Sequence, residues 1–88
     1  MDKLFTVNII TAQNKVFEGK VSSLIVPAEL GYLGVLANHA AIMANLIPGK
    51  ITYKEDSGRE SAIFSEGKGF LEVRSNKASL LLDAVKTP

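Results

Sequence analysis

Apolar and polar residues alternate along most of this chain with a period of two, the spacing of a strand that buries one face, rather than the 3.6-residue period of a helix. Between Leu4 and Ile10, Phe5, Val7 and Ile9 share one face while Thr6 and Asn8 hold the other. The polar stretch Thr11 to Lys15 breaks the pattern. Val16 to Lys20 then leads into Val21–Val26, a run rich in β-branched residues. Pro27 closes it, because proline has no N–H to give a central ladder, so the spacing predicts a short strand ending there. Beyond Pro48-Gly49, Ile51–Glu55 and Glu60–Phe64 read as a hairpin around Asp56-Ser57-Gly58, with Gly58 taking the positive φ of the turn. Gly67-Lys68-Gly69 sets off a strand over Phe70–Arg74, and Ser75-Asn76-Lys77 turns it into Ala78–Asp83. Strands recurring at roughly 8–12 residues predict an all-β sandwich or barrel.

One stretch resists that reading. Asn38 to Ile47 offers an N-cap candidate, good helix formers, and apolar residues at 42, 43, 46 and 47, so propensity leaves helix and strand equally open. Pro48-Gly49 ends either element. The expected core is Phe5, Val7, Ile9, Phe17, Leu24, Val26, Val35, Ile42, Leu46, Ile63, Leu71, Val73, Leu80 and Leu82.

At 88 residues the chain has room for one domain, 1–88, with a modest core and no deep active site. Ten Lys and Arg against nine Asp and Glu leave no polybasic footprint, which argues against nucleic acid. The absence of cysteine removes a disulfide framework, a thiolate metal site and a cysteine nucleophile together. MDKLFTVNII lacks the continuous apolar segment of a signal peptide, and no apolar run approaches the ~20 residues of a membrane helix. The expectation is a soluble domain that meets a membrane only through a partner.

Candidate chemistry is sparse. His39 is the one imidazole; with no second soft ligand it predicts no metal site, and without a nucleophile and an orienting carboxylate it makes a weak centre for a small hydrolase. It reads as a partly exposed loop residue or an interface contact. Gly31 and Gly34 lack the surroundings of a phosphate loop and read as turn glycines. Tyr32 beside them is either packed sideways or offered to a partner. Glu29, Glu55, Asp56, Glu60, Glu66 and Glu72 fall on turns or outward faces, where solvation explains them. Ser75-Asn76-Lys77-Ala78 is similar to the tetrapeptide around the modified lysine of lipoyl domains, but lipoyl and biotinyl domains carry that hairpin mid-domain and Lys77 lies near the end, so an ordinary polar turn is the favoured reading. These residues predict no catalytic group, cofactor or small-molecule substrate.

The order of features says more than any one of them. Phe5-Thr6-Val7-Asn8-Ile9-Ile10-Thr11-Ala12, Val16-Phe17-Glu18-Gly19-Lys20-Val21, Gly31-Tyr32-Leu33-Gly34-Val35-Leu36-Ala37-Asn38-His39-Ala40, Leu46-Ile47-Pro48-Gly49-Lys50-Ile51 and Gly69-Phe70-Leu71-Glu72-Val73 follow one another at spacings that resemble the N-terminal domain of the epsilon subunit of F-type ATP synthases. The resemblance implies a flattened β-sandwich of about ten short strands in two sheets, and it tips the Asn38 to Ile47 stretch to strand. It implies a non-catalytic rotor subunit that binds gamma and the c-ring and couples proton translocation to ATP synthesis and hydrolysis. Such a subunit is peripheral to the cytoplasmic face of a bacterial inner membrane, or the stromal face of a thylakoid. Carried over, the c-ring side is Glu29, Gly31 and Tyr32, and the gamma side is Thr11 and His39. Where the family commonly reads Pro-Gly-His-Ala-Pro, this chain has Ala37-Asn38-His39-Ala40-Ala41, so Asn38 is expected to supply the positive φ that glycine otherwise gives. The sequence ends at Thr87-Pro88, where most bacterial and chloroplast members continue into an inhibitory helical hairpin, so that role is not expected of these residues. The alternative reading is a carrier domain modified on Lys77.

Overall fold

The computed structural model describes residues 3–86 and is built from nine strands: β1 (Phe5–Ile10), β2 (Lys15–Ala28), β3 (Gly31–Leu36), β4 (Ile42–Leu46), β5 (Gly49–Glu55), β6 (Glu60–Ser65), β7 (Gly69–Arg74), β8 (Lys77–Leu82) and β9 (Val85–Lys86). The expected domain bounds at Met1 and Pro88 lie outside the described residues. The architecture is the predicted β-sandwich. β1, β8, β7 and β4 pair in that order, as do β2, β5, β6 and β9, while β3 pairs with β2 alone. The 14-residue β2 serves both layers, pairing with β1 through its first half and with β3 and β5 through its second. Because it also touches β4 at Ala28 opposite Leu46, the two layers form one unbroken nine-stranded ladder rather than two separate sheets. β1 and β8 run parallel; the other pairs are antiparallel.

The short strand expected to stop at Pro27 is corrected by β2, which runs through that proline to Ala28. In an extended strand a residue's N–H and C=O point the same way. The carbonyl of Pro27 accepts from the N–H of Ile47 at 2.9 Å, on the side away from β3. β5 has by then left that side, its last partnership being Ile25 with Thr52. The missing proline N–H therefore falls where no ladder bond is due.

The Asn38 to Ile47 stretch contains a strand, β4, and no helix. Ile42, Ala44 and Leu46 point inward while Met43 and Asn45 point to solvent, so the period is two after all. Hairpin β5–β6 closes on Gly58 at φ 90 as expected, and Asn38 does hold a positive φ of 63. Gly34 is no turn residue: it lies inside β3 opposite Ile25. β9, which pairs with the end of β6, has no counterpart in the predicted elements.

Twelve of the fourteen expected core residues are buried. Phe17 and Ile42 are only half-buried. Phe17 stacks on Tyr53 with ring centroids 4.4 Å apart and covers the bare backbone of Gly19, lidding the core from its rim. Ile42 opens β4 at a sheet edge. Val21, Ala28, Ile51, Tyr53 and Ala78 join the interior instead. Burial pushes the Tyr53 phenol above its ordinary pKa. At Gly49 a Cβ would stand 2.9 Å from Pro27 Cβ and 3.4 Å from the Tyr32 hydroxyl. Gly49→Ala is therefore expected to cost about 1–3 kcal/mol by overpacking, read as a lower urea midpoint.

Candidate docking surface

The hairpin joining β2 to β3 carries the three residues placed by resemblance on the ring side. Glu29 and Leu30 form its turn, and Gly31 takes φ 128, a conformation open to glycine and strained for any residue with a Cβ. Two hydrogen bonds fix the tip to β4: Glu29 N–H donates to Asn45 O at 3.0 Å, and Ile47 N–H donates to Pro27 O at 2.9 Å. Tyr32 is 64% exposed and Leu30 fully exposed. Between this tip and β4 lies an open groove of about 440 Å³, walled by Leu30, Tyr32, Leu33, Ile42, Met43 and Ala44, with Glu29 and Asn45 at its polar margin. The structure thus brings Glu29, Gly31 and Tyr32 together on one rigid feature. Sequence reasoning passed over Leu30, although an apolar residue at the centre of a two-residue turn has no core to enter and is a signal in itself.

Thr11 and His39 are not brought together. Thr11 closes the β1–β2 turn: its N–H donates to Asn14 O at 2.9 Å and its Oγ1 accepts the Asn14 N–H at 3.1 Å. Just beyond, Lys15 donates to Glu18 at 2.7 Å and holds that exposed carboxyl below its usual range. His39 belongs to the opposite end of β1. Its N–H donates to Leu36 O at 3.3 Å and its Nδ1–H to Ala40 O at 2.7 Å. The Asn38 N–H beside it donates to Asn76 Oδ1 at 2.7 Å, and Asn76 Nδ2 donates in turn to Leu4 O at 3.0 Å, at the start of β1. Asn76 was visible in the sequence only as half of a turn.

A surface joining Thr11 to His39 must therefore run along β1, roughly 20 Å for six residues at about 3.3 Å each. The outer face of β1, β8, β7 and β4 provides it. Ile10, Leu81, Phe70 and Asn45 form one row across the four strands, and Asn8, Ser79, Glu72 and Met43 the next. Leu81 and Met43 are 53% and 65% exposed. Doubly apolar runs such as Leu80-Leu81-Leu82 hid this face, since alternation cannot say which leucine is outside.

Lys77 is exposed but is no free tip. It pairs with Arg74 and, across the parallel ladder, with Thr6, while Ser75 and Asn76 at φ 52 and 60 make the turn. Among the described residues no three His, Asp or Glu side chains converge as a cation site, and no helix is long and apolar enough to cross a membrane.

Residues 4–88 match the family of the ATP synthase delta/epsilon chain β-sandwich domain. The chain belongs to that family. The carrier reading at Lys77 is thereby set aside. An ATP synthase epsilon chain of Latilactobacillus sakei is 42% identical over 86 residues, covering 96% of this chain and 59% of that one. Its counterpart in Chlorobaculum tepidum is 40% identical over 84 residues and is covered to 94% of its length. Four of the relatives are longer, the chain spanning 56–59% of their length. A chain from the Euglena gracilis mitochondrial ATP synthase, solved with OSCP, F1 and the c-ring, shares the fold at a TM-score of 0.88 and 16% identity, covering 96% of this chain and 53% of that one.

Proposed function

We propose that this chain is a non-catalytic rotor subunit of an F-type ATP synthase, binding gamma and the c-ring in the central stalk and coupling proton translocation to ATP synthesis and hydrolysis. The observation that carries the reading is the family match over residues 4–88, with an epsilon chain of nearly the same length among the relatives. In this reading the chain takes no cofactor, metal or substrate of its own. It is held peripherally at the membrane by its partners, on the cytoplasmic face in a bacterium or the stromal face of a thylakoid.

The two surfaces divide the work. Glu29, Gly31 and Tyr32, with Leu30, meet the c-ring through the β2–β3 tip. Thr11 and His39 mark the two ends of the gamma contact, which runs along the outer face of β1, β8, β7 and β4. A part that passes torque between them must not deform, and side chains packed at near-crystalline density between two layers supply that stiffness. Co-expression with gamma tests the assignment: a stable one-to-one complex is expected to co-purify, weakened by Leu81→Glu. Gamma recovered without this chain at any ratio would refute it.

A further inference from the structure

β3 is an edge strand with nothing to blunt it. It pairs with β2 alone, and Gly31-Tyr32-Leu33-Gly34-Val35-Leu36 contains no charge, proline or bulge of the kind that keeps free edges from pairing. Since Pro27 faces away from β3, its partner Tyr32 must also point its N–H and C=O away from β2, and the alternation extends this to Gly34 and Leu36. Of these groups only the Leu36 carbonyl has a partner among the described residues, the His39 N–H.

We propose that in the unassembled chain this edge pairs antiparallel with the β3 of a second copy. The outward groups fix the register, because only even-numbered residues of β3 can bond across the new seam. Gly34 then meets Gly34 on the twofold axis, and Tyr32 meets Leu36 on either side. Tyr32 and Leu36 are each 64% exposed and stand on one face beside Ile25, itself 44% exposed, so pairing gives an aromatic–aliphatic cross-strand contact and joins two apolar faces into one. Charge agrees with the occupant: the antiparallel arrangement brings the Glu29 end of one copy to the Leu36 end of the other, where Lys3 lines a shallow hollow with Leu36 and Ala37, and sets no like charges face to face. A seam of one short strand buries less than the ~1,200 Å² of a stable interface, so the dimer is weak and belongs to concentrated protein. It hides Tyr32 while it lasts.

Sedimentation velocity from about 10 μM to about 1 mM reads the equilibrium. A reversible monomer–dimer shift is expected, with the Tyr32 and Gly34 amides gaining hydrogen-exchange protection as dimer forms. Gly34→Pro removes an N–H that β2 does not use, and at an edge position with open space around it the fold tolerates the ring. Gly34→Lys sets two ammonium groups opposite each other on the axis. Each is expected to weaken association at least tenfold with the circular dichroism unchanged, Gly34→Lys deciding the matter should the proline variant fail to fold. A chain monomeric at about 1 mM, or a dimer that survives Gly34→Lys, would overturn the proposal.

Discussion

Asn76→Ala is expected to lower the unfolding free energy by about 2–5 kcal/mol, a large loss for an exposed turn residue. Two hydrogen bonds go with the side chain, from Asn38 N–H at 2.7 Å and to Leu4 O at 3.0 Å, each contributing about 0.5–1.5 kcal/mol. Alanine must then hold φ 60, which costs about 1–2 kcal/mol more. Asn76→Gly separates the two parts, since glycine loses the bonds and keeps the backbone conformation. It is expected to cost about half as much. Urea unfolding with an unchanged m-value checks both, and an Asn76→Ala loss under about 0.5 kcal/mol would show that the tie between the β7–β8 turn, the His39 loop and β1 carries no weight.

Tyr32→Glu and Glu29→Lys are expected to weaken attachment to the membrane sector by tenfold or more while leaving the thermal midpoint nearly unchanged. Tyr32 is mostly exposed, and the Glu29 side chain has no hydrogen-bond or ion-pair partner among the described residues; Glu29 helps hold the tip through its backbone N–H, beside the Ile47–Pro27 bond. Stability and docking are therefore separable at these positions, as they are not at Gly31, where a side chain would strain the turn itself. Leu30→Asp should act in the same direction, because its whole side chain is available to a partner. Binding to the isolated membrane sector measures the effect; wild-type affinity in Tyr32→Glu would remove the tip from the interface.

Much of the fold was legible in the sequence for a simple reason: where one strand face is wet, a period of two survives in the residues, as in Phe5 to Ile10 and in the β5–β6 hairpin around Gly58. The signal failed where a property depends on a neighbour distant in sequence. Pro27 ends a strand only if a partner needs its N–H, and that is decided by where β5 departs. Phe17 is core by composition, yet it roofs Tyr53 and Gly19 from the rim, while small Ala78 sits fully inside because β7 and β1 close on both sides of it. The stretch before Pro48 has apolar residues on both sides of β4, so local pattern left helix and strand open and only the family resemblance settled it. Glu29, Gly31 and Tyr32 came from that resemblance too. Leu30 and the outward Leu81 were recoverable from the chain only once the turn and the register were known.

The measurement that bears most directly on the rotor assignment uses ATP synthase stripped of its epsilon chain and reconstituted in vesicles. Addition of this chain is expected to restore ATP synthesis driven by a proton gradient and to sediment with the enzyme, whereas Tyr32→Glu restores neither. A chain that stays in solution and leaves the uncoupled rate unchanged would contradict the account.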